Sequence, residues 1–227
     1  MAPKLKLPVF FLNFKTYEKG TGAKAIALAK EAQAISRKTN STIALVVQAA
    51  DLRAIASSVS IPVFAQHVDP VSFGSNTGKT LPEAVKEAGA IGTIINHAEN
   101  KRDNEFVQKA VARAKEAGLI VMICAETIQR AKEVAAFSPD LIAVEPPELI
   151  GGTVSVSTAK PEIISDSVKA IHSIAKIPVI AGAGVNSLLD VKKSIELGAS
   201  GVFVASAILK AQNPEAVLSE MIKGFRQ

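Results

Sequence analysis

Eight short apolar runs, spread along the whole chain, limit what this sequence can fold into more than any other feature. They are Leu7–Leu12, Ile43–Val47, Ile61–Phe64, Ile91–Ile95, Leu119–Ile123, Leu141–Val144, Ile177–Ile180 and Gly201–Val204. Each is continuous rather than alternating. A strand with one wet face alternates apolar and polar residues, so continuous runs mark strands covered on both faces, the situation of a parallel sheet. Parallel strands need crossovers, and helical spacing fills the gaps. Val107, Ala110, Val111 and Ala114 keep it, as do Ile164, Val168, Ile171 and Ala175, and Val217, Met221 and Phe225. Ala23 to Arg37 reads as an Ala-rich amphipathic helix, whereas Asp51 to Ser57 has room only for a short one.

The joints repeat as well. Glu87-Ala-Gly89, Glu116-Ala-Gly118 and Glu196-Leu-Gly198 each put a glycine where a helix must end before a strand. Proline stands near three strand starts, at Pro8, Pro62 and Pro178, where its missing N–H costs least. Asn213-Pro214-Glu215 marks a helix start, with proline at the first helical position. Eight strands alternating with helices over 227 residues predict one (β/α)₈ barrel spanning residues 1–227, with neither a linker nor a composition shift to divide it. A doubly wound open sheet is the alternative. Against it, no strand is followed by a full Gly-x-Gly-x-x-Gly fingerprint.

Composition narrows the function classes. Hydrophobic residues make up 48%, ample for a core and incompatible with disorder. No apolar run approaches the roughly 18 residues of a membrane span, so no membrane partner is expected. The start, Met1 to Pro8, has no stretch apolar enough for a signal peptide, and the single cysteine, Cys124, sits inside an apolar run. Both point to the cytoplasm. The net charge of +5 suits an anionic substrate, but Lys109, Lys115 and Lys132 are scattered along helices. With no tryptophan, one tyrosine and no basic run, nucleic-acid binding is not expected.

In a barrel, catalytic residues come from the carboxyl ends of several strands. Here the first strand ends in Asn13-Phe14-Lys15, the fourth in Asn96-His97-Ala98-Glu99 and the sixth in Glu145. The seventh ends in Ala181-Gly182-Ala183-Gly184 and the eighth in Ala205-Ser206. Lysine, histidine and two glutamates on one rim are a proton-transfer set. The small residues after the last two strands let a ligand approach bare backbone N–H groups, the usual phosphate site of barrels. After Glu145, Pro146-Pro147 and Gly151-Gly152 read as the stiff and soft ends of a lid. His67, in a loop, and His172, on a helix, read as structural. No histidine groups with acids at metal-ligand spacing, so neither metal nor cofactor is expected. Cys124 has no partner that would make it a nucleophile.

Asn13-Phe14-Lys15, Asn96-His97-Ala98-Glu99 and Ala143-Val144-Glu145-Pro146, in this order, resemble the triosephosphate isomerase family along the whole chain, and the short length resembles its archaeal branch. The resemblance implies a cofactor-free interconversion of dihydroxyacetone phosphate and glyceraldehyde 3-phosphate through an enediolate. It implies Glu145 as the base, His97 as the neutral electrophile, Lys15 as the stabilising cation, Asn13 as a hydrogen-bonding group and Glu99 as the support of Lys15. Phe14, Ile150, Gly151, Gly182, Gly184, Ala205 and Ser206 fall in its substrate- and phosphate-binding loops. Departures are clear: Ala98-Glu99-Asn100-Lys101 replaces Ser-Glu-Arg-Arg, and Glu148 stands where many members have tryptophan. Ala181-Gly-Ala-Gly184 replaces Tyr-Gly-Gly-Ser, and Ala205-Ser206 replaces Gly-Gly. They bear on how the lid is latched, while main-chain donors survive each change. The short segment from Cys124 to Glu145 implies one abbreviated helix and a homotetramer, with a dimer as the alternative. The turn from Gln66 to Lys79, with Thr77 near its tip, resembles the family's interlocking interface loop.

Two other classes stay open at this point. Residues 177 to 209 alone fit another phosphate-binding barrel, such as a phosphoribosyl isomerase or a thiamine-phosphate-type synthase. A catalytically silent barrel serving as an assembly subunit would keep the fold and lose the chemistry.

Overall fold

The computed structural model describes residues 5–146 and 161–225. All eight apolar runs form strands: β1 (Val9–Asn13), β2 (Thr42–Val47), β3 (Val63–Ala65), β4 (Gly92–Ile95), β5 (Ile120–Ala125), β6 (Leu141–Val144), β7 (Val179–Ala181) and β8 (Gly201–Val204). Every neighbouring pair is parallel, and β8 returns to β1 through Val9 opposite Gly201, so the sheet closes into a barrel in chain order. The open-sheet alternative is thereby excluded. Three strands begin one residue after a proline, at Val9, Val63 and Val179, because the proline has no N–H for the ladder. Its carbonyl still serves: Leu45 N–H donates to Pro62 O at 2.8 Å and Ile142 N–H to Pro178 O at 3.1 Å.

The pleat sorts side chains into two cores. Inside the barrel lie Val9 and Phe11, Ala44 and Val46, Phe64, Ile94, Met122 and Cys124, Ala143, Ile180 and Phe203. The alternate residues, among them Phe10, Leu12, Ile43, Leu45, Val121, Ile123, Val202 and Val204, point outward and pack under the helices. Phe11 fixes the centre of the interior, with its ring edge-on to Phe64 at 5.1 Å and to Phe203 at 6.2 Å.

The crossover helices follow the predicted joints. The first long one runs Gly22–Thr39, and Leu52–Ser58 is short, as its sequence allows. Gly89, Gly118 and Gly198 adopt φ of +101°, +74° and +94°, the left-handed turn that releases a helix toward the next strand. Asn213 caps Pro214–Met221 by accepting a hydrogen bond from Ala216 N–H at 3.0 Å. Between β5 and β6 the described helix is Ile128–Ala135, two turns long, which matches the abbreviated segment expected there. The turn after β3 is braced. Asp69 N–H donates to Thr80 O at 2.9 Å, and Thr80 N–H donates to the Asp69 carboxylate at 2.7 Å. Arg113 donates from Nε to Val71 O at 3.1 Å and pairs with Glu83. At the head of this turn Phe73 is 76% exposed.

Candidate active site

The same pleat delivers the site. One step beyond the interior residues, the next inward position on five of the strands is Asn13 on β1, Gln66 after β3, Glu145 after β6, Gly182 after β7 and Ala205 after β8. These residues ring the carboxyl-end mouth, over a cleft of about 450 Å³ lined by Asn13, Lys15, Tyr17, His97, Glu145, Gly182, Gly184, Val185, Asn186, Phe203, Val204, Ala205 and Ser206. The chemistry-bearing residues from strands one, four and six therefore meet in one place.

Glu145 is 3% exposed, its backbone still tied to β5 through N–H donation to Ala125 O at 2.9 Å. Its Oε1 lies 3.5 Å from His97 Nε2, and its buried Oε2 has no hydrogen-bond partner among the described residues. A buried carboxylate oxygen left unpaired is costly, so this atom is available for a proton brought by a ligand. Gly182 makes room for it: a Cβ there would stand 2.5 Å from Glu145 Cγ. Any larger residue would push the carboxylate aside.

His97 is held by its own loop. Glu99 N–H donates to His97 Nδ1 at 3.1 Å, so the remaining ring proton sits on Nε2, facing the cleft and Glu145. Lys15 Nζ pairs with Glu99 Oε1 at 2.7 Å, and its side chain is 16% exposed. The Lys15 backbone takes a left-handed φ of +46°, supported by N–H donation to Asn13 Oδ1 at 2.9 Å. Gln66 Nε2 donates to Lys15 O at 3.0 Å, so the residue that follows β3 braces the strained turn.

Burial sets the proton chemistry. It raises the Glu145 carboxyl to about 7, against smaller lowering contributions from the Cys124 thiol and the Lys15 cation. His97 moves the other way, to about 4, because burial and then the Lys15 charge oppose a second proton more than Glu99 favours it. Near neutral pH the pair is thus a carboxylate close to its pKa beside a neutral imidazole that donates from Nε2. That is a base and an electrophile, the requirements for moving a proton between carbons next to a carbonyl.

Most of the residues named from sequence come together here, and the exceptions are informative. Phe14 is fully buried among the outer-core residues, outside the cleft lining, because it continues the outward face of β1. Ile150 and Gly151, with the rest of the segment from Pro147 to Gly152 that reads as a lid in sequence, lie outside the described residues. His172 sits in the last turn of helix Pro161–His172, its Nε2 3.2 Å from Ile177 O, which is the structural role expected of it. His67 is also away from the chemistry, stacked on Phe106 at 5.8 Å with its Nε2 3.5 Å from Asp69. Sequence reasoning missed Tyr17, Gln66 and Phe203. Only the strand register could have found Gln66 and Phe203, as inward positions just after β3 and on β8. A second cleft of about 660 Å³, lined by Gln66, His67, Glu99 and Asn100, opens on the far side of Lys15 and His97.

Comparison with known proteins agrees with the geometry. The family model described as triosephosphate isomerase matches residues 8–224. A triosephosphate isomerase of Methanocaldococcus jannaschii is 43% identical over 213 residues, covering 93% of this chain and 97% of that protein. That of Saccharolobus solfataricus is 42% identical over 218 residues, covering 96% of each. Among solved structures, the triosephosphate isomerase of Bartonella henselae superposes with a TM-score of 0.75 at 21% identity, covering 97% of this chain and 99% of that one. At that identity the superposition speaks for the fold alone.

Proposed function

Because the chain belongs to the triosephosphate isomerase family, we propose that this cleft interconverts dihydroxyacetone phosphate and D-glyceraldehyde 3-phosphate with Glu145, His97 and Lys15 as its working groups. The Glu145 carboxylate takes a proton from the carbon beside the substrate carbonyl. The electron pair of that C–H bond becomes the carbon–carbon double bond of an enediolate, and the carbonyl oxygen takes the negative charge. His97 donates its Nε2 proton to that oxygen and takes back the hydroxyl proton of the adjacent oxygen, while the Lys15 ammonium offsets the charge. Glu145 then returns the proton to the neighbouring carbon, so nothing is gained or lost from substrate. Asn13 contributes a second polar contact, and Glu99 keeps both Lys15 and the His97 tautomer in place. The phosphate lies against backbone N–H groups of Gly182 to Gly184 and of Ala205 and Ser206, with Ile150 and Gly151 covering it. Exclusion of water protects the enediolate from losing phosphate.

What supports this reading above all is one juxtaposition: the buried Glu145 carboxylate, its Oε2 without a hydrogen-bond partner among the described residues and its Oε1 3.5 Å from a neutral imidazole, with a lysine in the same cleft. A phosphoribosyl isomerase or a thiamine-phosphate-type synthase would need only the last two loops, and a silent assembly subunit would need none of this set. The test is a coupled assay on both triose phosphates with the wild type and Glu145→Gln. The wild type should turn over both, and the variant should lose at least ~10²-fold in turnover, the scale of a positioned base. Near-wild-type turnover in Glu145→Gln would sink the assignment.

The same reading extends to assembly and place. The chain works as one (β/α)₈ unit, in a homotetramer, with the dimer as the alternative. Two features support association: the braced turn carrying exposed Phe73, and the polar cleft beside Lys15 into which a partner's Thr77-bearing turn would fit. The enzyme acts in the cytoplasm, in line with its one buried cysteine. Among the described residues no helix is long and apolar enough to cross a membrane.

A further inference from the structure

Asn96 directly follows the fourth strand, and no step of the reaction uses it. It is nevertheless built in with unusual completeness. It is 4% exposed, and its backbone adopts a left-handed φ of +63°. Few residues with a side chain tolerate that region, and asparagine is among them. The turn takes the chain off β4 at the point where His97 must enter the mouth. Both ends of the Asn96 amide are then used. Nδ2 donates to Cys124 O at 2.9 Å, one residue beyond the last registered β4–β5 pair, Ile95 and Ile123. Oδ1 accepts from Arg102 N–H at 2.8 Å. A carbonyl can only accept and a backbone N–H can only donate, so the amide has one possible orientation. Its nitrogen carries on the ladder where the backbone has turned away, and its oxygen closes the loop 97–102 behind it. Arg130 adds a second tie from helix Ile128–Ala135, donating from Nη2 to Arg102 O at 3.1 Å.

We propose that Asn96 is a positioning residue for His97: its amide clamps the loop that sets the ring's place in the mouth and delivers Glu99 N–H to Nδ1. The inference rests on the isomerase reading for its consequence in turnover, but the clamp itself does not depend on that reading. Groups facing the ring are Lys15 from the β1 loop, Glu99 from its own loop, Glu145 after β6 and the Phe203 edge from β8 at 6.0 Å. Their effect on His97 holds only while the ring stays put. Backbone conformation and side-chain clamping are separable, because glycine keeps the left-handed turn at no steric cost and has no amide. Aspartate keeps the acceptor for Arg102 N–H, loses the donor, and sets a carboxylate against Cys124 O. It should therefore not rescue.

The experiment is a ¹⁵N NMR titration of the His97 imidazole in the wild type, Asn96→Gly and Asn96→Asp, beside steady-state kinetics on dihydroxyacetone phosphate. In the wild type Nδ1 should stay unprotonated and the ring neutral down to about pH 5. In both variants the ring should show mixed tautomers and take up a proton at higher pH. Turnover should fall about tenfold to a hundredfold with little change in KM, the scale of a misplaced catalytic group. A merely structural asparagine would lower the melting temperature and leave the ring's titration and tautomer as they were; that result overturns the clamp. If Asn96→Gly fails to fold, Asn96→Asp is read from the ring's tautomer alone, because its new carboxylate by itself favours a protonated imidazole. A wild type without isomerase activity whose ring still shifts in the variants would remove the proposed reaction and keep the clamp.

Discussion

At the scale of single residues, two groups have been pushed in opposite directions by the same burial. Glu145 titrates near 7 and His97 near 4, so the first sets a pH limit on the reaction and the second does not. The base must be ionised to act. The value of kcat/KM should therefore fall tenfold per pH unit below about 7, level off above it, and show no limb from His97 between pH 5 and 8. A pH–rate profile checks this; a flat profile from pH 5 to 8 would contradict it. The sign for stability is the reverse. A carboxyl whose folded pKa lies above its ordinary value of 4.5 stabilises the fold while protonated, and that contribution is lost as pH rises toward 7. At neutral pH the base is held against the preference of the fold. Gly182 belongs to the same account, since its missing side chain is the space that Glu145 occupies.

At the scale of elements, the strands were legible because two-sided burial removes alternation from a sequence, and the joint glycines marked where each helix had to stop. Strand ends named the chemistry for the same reason: a polar residue directly after an apolar run sits on the rim. Legibility failed where position depends on pairing between distant segments. Gln66 looked like any loop glutamine until β3 was set beside β2, and Phe14 looked like part of the site until the pleat sent it outward. The turn from Gln66 to Lys79 was equally open, since nothing local announces that Arg113, far along the chain, holds its Val71 carbonyl. Arg113→Ala should leave the Val71 carbonyl without that donor and the Glu83 carboxylate, one oxygen of which is already buried without a partner among the described residues, without its counter-ion. The expected result is a melting temperature several degrees lower and faster hydrogen exchange at Asp69 and Thr80. Unchanged exchange at those two amides would show that the brace is idle.

At the scale of the whole molecule, the proposed assembly covers the exposed Phe73 ring on its braced turn. On that proposed assembly, Phe73→Asp should shift the protein toward the single 23.7 kDa chain in sedimentation velocity, with the barrel's circular dichroism retained. An unchanged oligomer would remove this turn from the interface. The two cores separated by one thickness of sheet have a further consequence. Phe10 and Leu12, under the helices, take no part in lining the mouth, whereas Phe11 and Phe203 lead by edge contacts directly to His97. A lineage carrying this barrel is therefore free to drift in its outer shell, trading one aliphatic for another as its habitat warms or cools, while the inner column keeps a slower clock. The divergence between such enzymes should be written mostly on the outside of the strands.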